Sequence, residues 1–218
     1  LAPTGRAAKV MSAYSGRRAL TIHKKIYRKK SATSLQTDFS IAENLHEETL
    51  FIVDEASMIS TEGFSFNSDG LLSDLIQYVQ SGKNCTLMLV GDTAQLPPVG
   101  LDYSPALDIG YINAEYGLEV FTYEMTDVVR QDKGSGILFN ATKIRNEIKL
   151  DEESPEYTFP KFITQGYRDV FRMTGDRLIE GLHYAYDKYG IENCMVICRS
   201  NKSANLYNKH IRNQILFQ

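Results

Sequence analysis

The chain has 218 residues, 43% apolar and 23% charged, which suffices for one full globular domain plus part of another and excludes a wholly disordered protein. No apolar run reaches the roughly 18 residues of a membrane span, and the opening Leu1-Ala2-Pro3-Thr4-Gly5-Arg6 has no signal-peptide core, so a cytoplasmic protein with no membrane partner is expected. Net charge is only −3, yet residues 1–37 hold nine Lys or Arg and no acid, leaving 15 of the 24 basic residues against all 27 acids. A second acid-free stretch after Glu192 carries Arg199, Lys202, Lys209, His210 and Arg212, so both ends are expected to offer cationic surface to phosphates.

In chain order, Thr4 is placed to cap a helix over 5–15, whose apolar positions include Val10 and Met11. A short helix is expected over 21–27 and a Ser/Thr-rich loop over 31–37. Leu50 to Val53 is a brief apolar run that stops abruptly at two acids, the pattern of a parallel strand buried on both faces. Residues 71–79 show helical spacing, 86–90 and 118–123 read as further strands, and 137–148 as a helix. Alternating strands and helices predict an α/β fold, a parallel sheet whose ligands lie beyond the carboxyl ends of its strands. Residues 151–160 read as an acidic, Pro-bearing linker, followed by a helix over 175–189, a strand over 195–198 and a helix over 200–216 opened by Ser200. Cys85, Cys194 and Cys198 form no Cys-x-x-Cys pair and are expected to be buried, reduced thiols.

The strongest chemical signal is Asp54-Glu55 at the end of a strand. A Mg²⁺ ion held mainly by water and phosphates needs one carboxylate to anchor it, and a hydrolytic water needs a second group to orient it. The next strand runs into Gly91-Asp92-Thr93-Ala94-Gln95-Leu96-Pro97-Pro98-Val99-Gly100, which opens on the same sheet edge. There Gln95 can donate to a phosphate oxygen and accept from a water, and the two prolines stiffen the loop.

In this order the motifs resemble the RecD-like branch of the superfamily 1 DNA helicases, the exodeoxyribonuclease V alpha-subunit type. Leu1-Ala2-Pro3-Thr4-Gly5-Arg6-Ala7-Ala8 with Thr21-Ile22-His23 is similar to motif Ia and its sequel, and Val53-Asp54-Glu55-Ala56-Ser57-Met58 resembles motif II, the Walker B element. Leu89 through Gly100 resembles motif III, and Thr126-Asp127-Val128-Val129-Arg130-Gln131 motif IV. Met195-Val196-Ile197-Cys198-Arg199-Ser200-Asn201 is similar to the start of a second RecA-like domain.

The resemblance implies a RecA-like P-loop NTPase domain over 1–150, a connecting segment over 151–191 and the beginning of a second RecA-like domain over 192–218. It implies ATP and Mg²⁺ as cofactors: Asp54 on the metal, Glu55 activating water, Gln95 sensing the γ-phosphate and Arg130 stabilising charge on it. Single-stranded DNA is the implied partner, met by Pro3, Thr4, Gly5, Arg6 and His23, with Arg17, Arg18, Lys24 and Lys25 adding an unspecific track. Nuclease or helicase subunits of a recombination complex are further implied partners. No Gly-x-x-x-x-Gly-Lys-[Ser/Thr] phosphate loop occurs in the sequence, so an internal fragment lacking Walker A is expected, inactive alone but drawn from an ATP-dependent helicase. A binding module without turnover, an RNA helicase of the nonsense-decay type and the helicase part of a conjugative relaxase are the competing readings.

Overall fold

The computed structural model describes residues 1–29, 39–63, 69–129, 132–151 and 159–216. They form two compact units, Leu1–Thr126 and Asp127–Gln218. The expected loop over 31–37 and both Arg130 and Gln131 lie outside the described residues, as does most of the acidic linker.

The first unit opens with α1 (Gly5–Ser15) and α2 (Ile22–Ile26), each started by a threonine. Thr4 Oγ1 accepts from Ala7 N at 3.2 Å and Thr21 Oγ1 from Lys24 N at 3.2 Å, satisfying amides that a first helical turn leaves unpaired. β1 (Tyr27–Lys29) and β2 (Phe39–Ile41) then pair antiparallel. β3 (Leu50–Val53) lies parallel to β4 (Thr86–Leu89), joined by the crossover helix α3 (Leu71–Gln80), and α4 (Ile109–Tyr116) follows.

Backbone bonds widen the parallel sheet on the other edge of β3. Leu1 N donates to Ile52 O at 2.6 Å and Asp54 N donates to Leu1 O at 3.0 Å, the spacing of parallel neighbours around Val53. Ala2 in turn bridges Thr21 in parallel sense. Residues 20–22, Leu1-Ala2, β3 and β4 therefore lie side by side, and the chain leaves Leu1-Ala2, β3 and β4 at the same end.

The core fills one face of this sheet. Leu72 and Leu75 of α3, Val53, Ile22, Ile26 and Ile59 are fully enclosed, joined by Phe51, Ile76 and Val79. Burying each such large side chain contributes about 1.5–3 kcal/mol. β3 alternates instead of being buried on both faces: Phe51 and Val53 point inward while Leu50 and Ile52 are 50% and 40% exposed. Among the described residues only one face of β3 is covered, which corrects the sequence expectation. Asn44, itself buried, donates to Tyr78 O at 2.9 Å and accepts from His46 N at 3.1 Å, tying the approach to β3 to the end of α3.

The second unit contains α5 (Gly136–Asp151), α6 (Leu178–Tyr189) and α7 (Asn201–Gln214). Ser200 caps α7 through Ser203 N at 3.2 Å. Two expected strands are absent among the described residues. Residues 118–123 run without ladder partners, with Phe121 and Tyr123 exposed, and 195–198 are irregular, with Ile197 exposed. Apolar alternation makes a strand only where a neighbouring backbone supplies the hydrogen bonds. All three cysteines are free thiols as expected, but half-buried instead of buried.

Candidate functional site

The carboxyl ends of adjacent parallel segments are where an α/β sheet offers exposed backbone and loop side chains to a ligand. Three segments end together here. Leu1-Ala2 leads into Pro3-Thr4-Gly5 and the amino end of α1; β3 ends at Asp54-Glu55; β4 ends at the loop from Gly91 to Gly100. Hydrogen bonds hold the three exits in register: Asp54 N to Leu1 O at 3.0 Å, Val90 N to Val53 O at 2.8 Å and Ala56 N to Val90 O at 2.9 Å.

Asp54 Oδ1 accepts from Glu55 N at 2.9 Å, and its second oxygen has no hydrogen-bond partner among the described residues. Both carboxylates are half-buried. Glu55 sits in the left-handed region at φ 57°, ψ 37°, where a side chain bearing Cβ is strained. This conformation leads the chain directly into a short 3-10 turn, Ala56–Met58. No three His, Cys, Asp or Glu side chains among the described residues converge as a metal cluster. The donor set fits a hard cation that takes one carboxylate and draws its remaining ligands from water and phosphates.

The loop after β4 is built to approach this turn closely. A Cβ on Gly91 would lie 2.9 Å from Leu107 Cδ1, 3.0 Å from Ser57 N and 3.2 Å from Ala56 N. Only glycine lets the two backbones meet at this distance. Asp92 Oδ1 then accepts from Ala94 N at 3.0 Å and Gln95 N donates to Asp92 O at 3.1 Å, folding the loop back so that Gln95 is exposed.

Thr4 spends its hydroxyl oxygen on the α1 cap, and Gly5 and Arg6 are exposed on the first turn. His23 stands in the first turn of α2, two residues beyond the Thr21 that pairs with Ala2, its ring 5.7 Å from that of Tyr27. Burial pushes its imidazole below the usual histidine range, so it is neutral at pH 7. Arg17, Arg18 and Lys24 are exposed. Lys25 turns away from that track: its Nζ donates to His46 Nε2 at 2.6 Å and lies 6.0 Å from the centre of the Phe51 ring. The structure thus gathers Pro3, Thr4, Gly5, Asp54, Glu55 and the Gln95 loop at one sheet edge, while Arg130 lies outside the described residues.

One residue that sequence patterning does not single out is Ser57. It is fully enclosed, and its Oγ has no hydrogen-bond partner among the described residues. In the sequence it stands inside the stretch that resembles motif II, two residues after the second carboxylate, with no role of its own assigned.

No helix among the described residues is long and apolar enough to cross a membrane. Residues 1–101, which contain the Thr4 turn, the Asp54-Glu55 pair and the Gln95 loop, match the family model of the AAA domain. Together with the mixed α/β architecture and its small parallel sheet, that match supports a helicase-like P-loop NTPase.

Proposed function

We propose that this sequence is the Walker B side of a motor that couples ATP hydrolysis to movement on single-stranded DNA, of the RecD-like superfamily 1 kind. The observation that carries the reading is the shared exit of Leu1-Ala2, β3 and β4. It sets the Thr4 turn, the Asp54-Glu55 pair and the Gln95 loop side by side. A nucleotide held on one part of such an edge can be felt by a nucleic acid held on another.

In this proposal Asp54 would hold Mg²⁺ and Glu55 would accept the proton of the attacking water. Bound Mg²⁺ supplies charge neutralisation on the phosphates being transferred. Gln95 reports the γ-phosphate to the loop, and Arg130, charged at any accessible pH, stabilises charge on the transferring group. Pro3, Thr4, Gly5, Arg6 and His23 line the path of the single strand; His23, being neutral, acts by hydrogen bonding or stacking and not as an ion. Residues from 192 onward open a second RecA-like domain, and the setting is cytoplasmic recombination or repair.

The test is ATP turnover by the intact protein with and without single-stranded DNA. Stimulation by DNA, and loss of about 10² or more in rate with Glu55→Gln at preserved nucleotide affinity, are expected. A rate indifferent both to DNA and to Glu55→Gln would refute the assignment. Because the sequence holds no phosphate loop, the 218-residue chain alone is expected to turn over no ATP.

A further inference from the structure

Ser57 combines three features that together ask for a role. Its side chain is fully enclosed, its hydroxyl has no hydrogen-bond partner among the described residues, and its backbone touches the loop that carries Gln95. A buried hydroxyl that makes no bond disfavours the state in which it is found. Alanine would fill almost the same volume without that penalty, so packing alone gives no reason for serine here.

The surroundings specify what moves if the hydroxyl is to find a partner. On one side is the strained Glu55 turn; on the other, Gly91 passes so closely that a Cβ there would stand 3.0 Å from Ser57 N. The Pro105–Leu107 turn encloses the same region through Ala106 and Leu107. A shift of the Glu55 turn against the Gly91-Asp92 backbone is the movement that would bring a backbone acceptor to Ser57 Oγ.

We infer that Ser57 is a positioning residue that links the two loops: its Oγ bonds to the backbone of the Gly91-Asp92 segment only in the nucleotide-bound arrangement, holding Glu55 and Gln95 in mutual register. The inference rests on the nucleotide-site reading above. While unbonded, the hydroxyl leaves the two loops ready to shift; once the bond forms, it favours the arrangement in which water is activated. Ser57 touches neither nucleotide nor metal in this scheme and acts through Glu55 and Gln95.

Ser57→Ala in the intact protein separates this role from simple packing. The variant is expected to melt at the same or a higher temperature than the wild type, to bind ADP with unchanged affinity, and to lose about tenfold in kcat with KM for ATP altered less than about twofold, the effect of one hydrogen bond made only in the active arrangement. Unchanged kcat in a well-folded Ser57→Ala protein would overturn the inference while leaving the nucleotide site intact. A lowered melting temperature would also overturn it, because it would mean that the hydroxyl is already bonded in the resting state. Wild-type protein with no ATP turnover at all would sink the nucleotide reading itself, and this inference with it.

Discussion

Glu55 holds a backbone conformation that costs a residue bearing Cβ about 1–2 kcal/mol, and it holds it directly after Asp54 at the carboxyl end of β3. Strain kept at such a position points to function more than to stability. Glu55→Gly removes both strain and carboxylate, so thermal unfolding should show a gain of about 0.5–1 kcal/mol while ATP turnover by the intact protein collapses. Glu55→Ala, which retains the strain, should lose turnover without the gain. Gly91 is the complementary case, since Gly91→Ala forces a methyl against the Ser57 and Ala56 amides and Leu107. A loss of about 1–3 kcal/mol in thermal unfolding is expected, together with reduced turnover from a displaced Gln95 loop. The carboxylates were legible in the sequence because an apolar run ending in two acids is a local pattern. The left-handed turn and the unbonded Ser57 were not, because both depend on the backbone of a loop more than thirty residues further along the chain.

At the scale of elements, helices whose caps are local emerge as the sequence predicts. Thr4, Thr21 and Ser200 each accept from an amide three residues ahead, a relation contained in four consecutive residues. The start of α5 uses a device that no local pattern reveals. Ser135 Oγ accepts from Leu138 N at 3.2 Å and donates to Asp169 Oδ2 at 2.5 Å, while Asp169 Oδ1 accepts from Gly136 N at 2.9 Å. A carboxylate 34 residues away thus completes the cap and faces the positive end of the helix dipole. Asn140 repeats the theme, donating to Ile163 O and accepting from Ile163 N, both at 2.8 Å, much as a paired strand residue would. The Ser135 hydroxyl and the Gly136 amide hold the Asp169 carboxyl below the usual carboxylate range. With the folded value depressed, its contribution is present above the ordinary carboxylate pKa and is lost as pH falls through the folded value. Ser135→Ala should destabilise the second unit by about 1 kcal/mol at pH 7, and Asp169→Asn should flatten the acid limb of its unfolding curve, both followed by thermal melts between pH 7 and pH 3. Equal acid sensitivity of wild type and Asp169→Asn would remove the carboxylate from this account. The expected strands over 118–123 and 195–198 fail for the converse reason. Their apolar residues are present, but no neighbouring backbone among the described residues meets them.

For the whole molecule, the separation of charge along the chain is the feature most directly readable from the sequence, and the structure sorts the basic residues into two kinds. Arg17, Arg18 and Lys24 stand exposed near the α1 and α2 ends, whereas Lys25 is drawn to His46 and Phe51, its ammonium lowered in pKa first by burial and then by Arg28. An exposed cation that meets a phosphate releases a counterion, so each one lost lowers the slope of log affinity against log salt by about 0.7 for a single strand. Replacing Arg17 and Arg18 by alanine should therefore weaken single-stranded DNA binding to a similar degree for every sequence and reduce that slope by about 1.4, measured by fluorescence anisotropy from 50 to 300 mM salt. Lys25→Ala should leave the slope in place and lower thermal stability instead, since its ammonium is engaged with His46 and its stem covers an aromatic ring. His23, already neutral at pH 7 through burial, should give no step in affinity as pH rises above its ordinary titration range. If the Arg17 and Arg18 pair left both affinity and slope unchanged while Lys25→Ala reduced them, the cationic track would have to run past β3 instead of along the α1 and α2 ends.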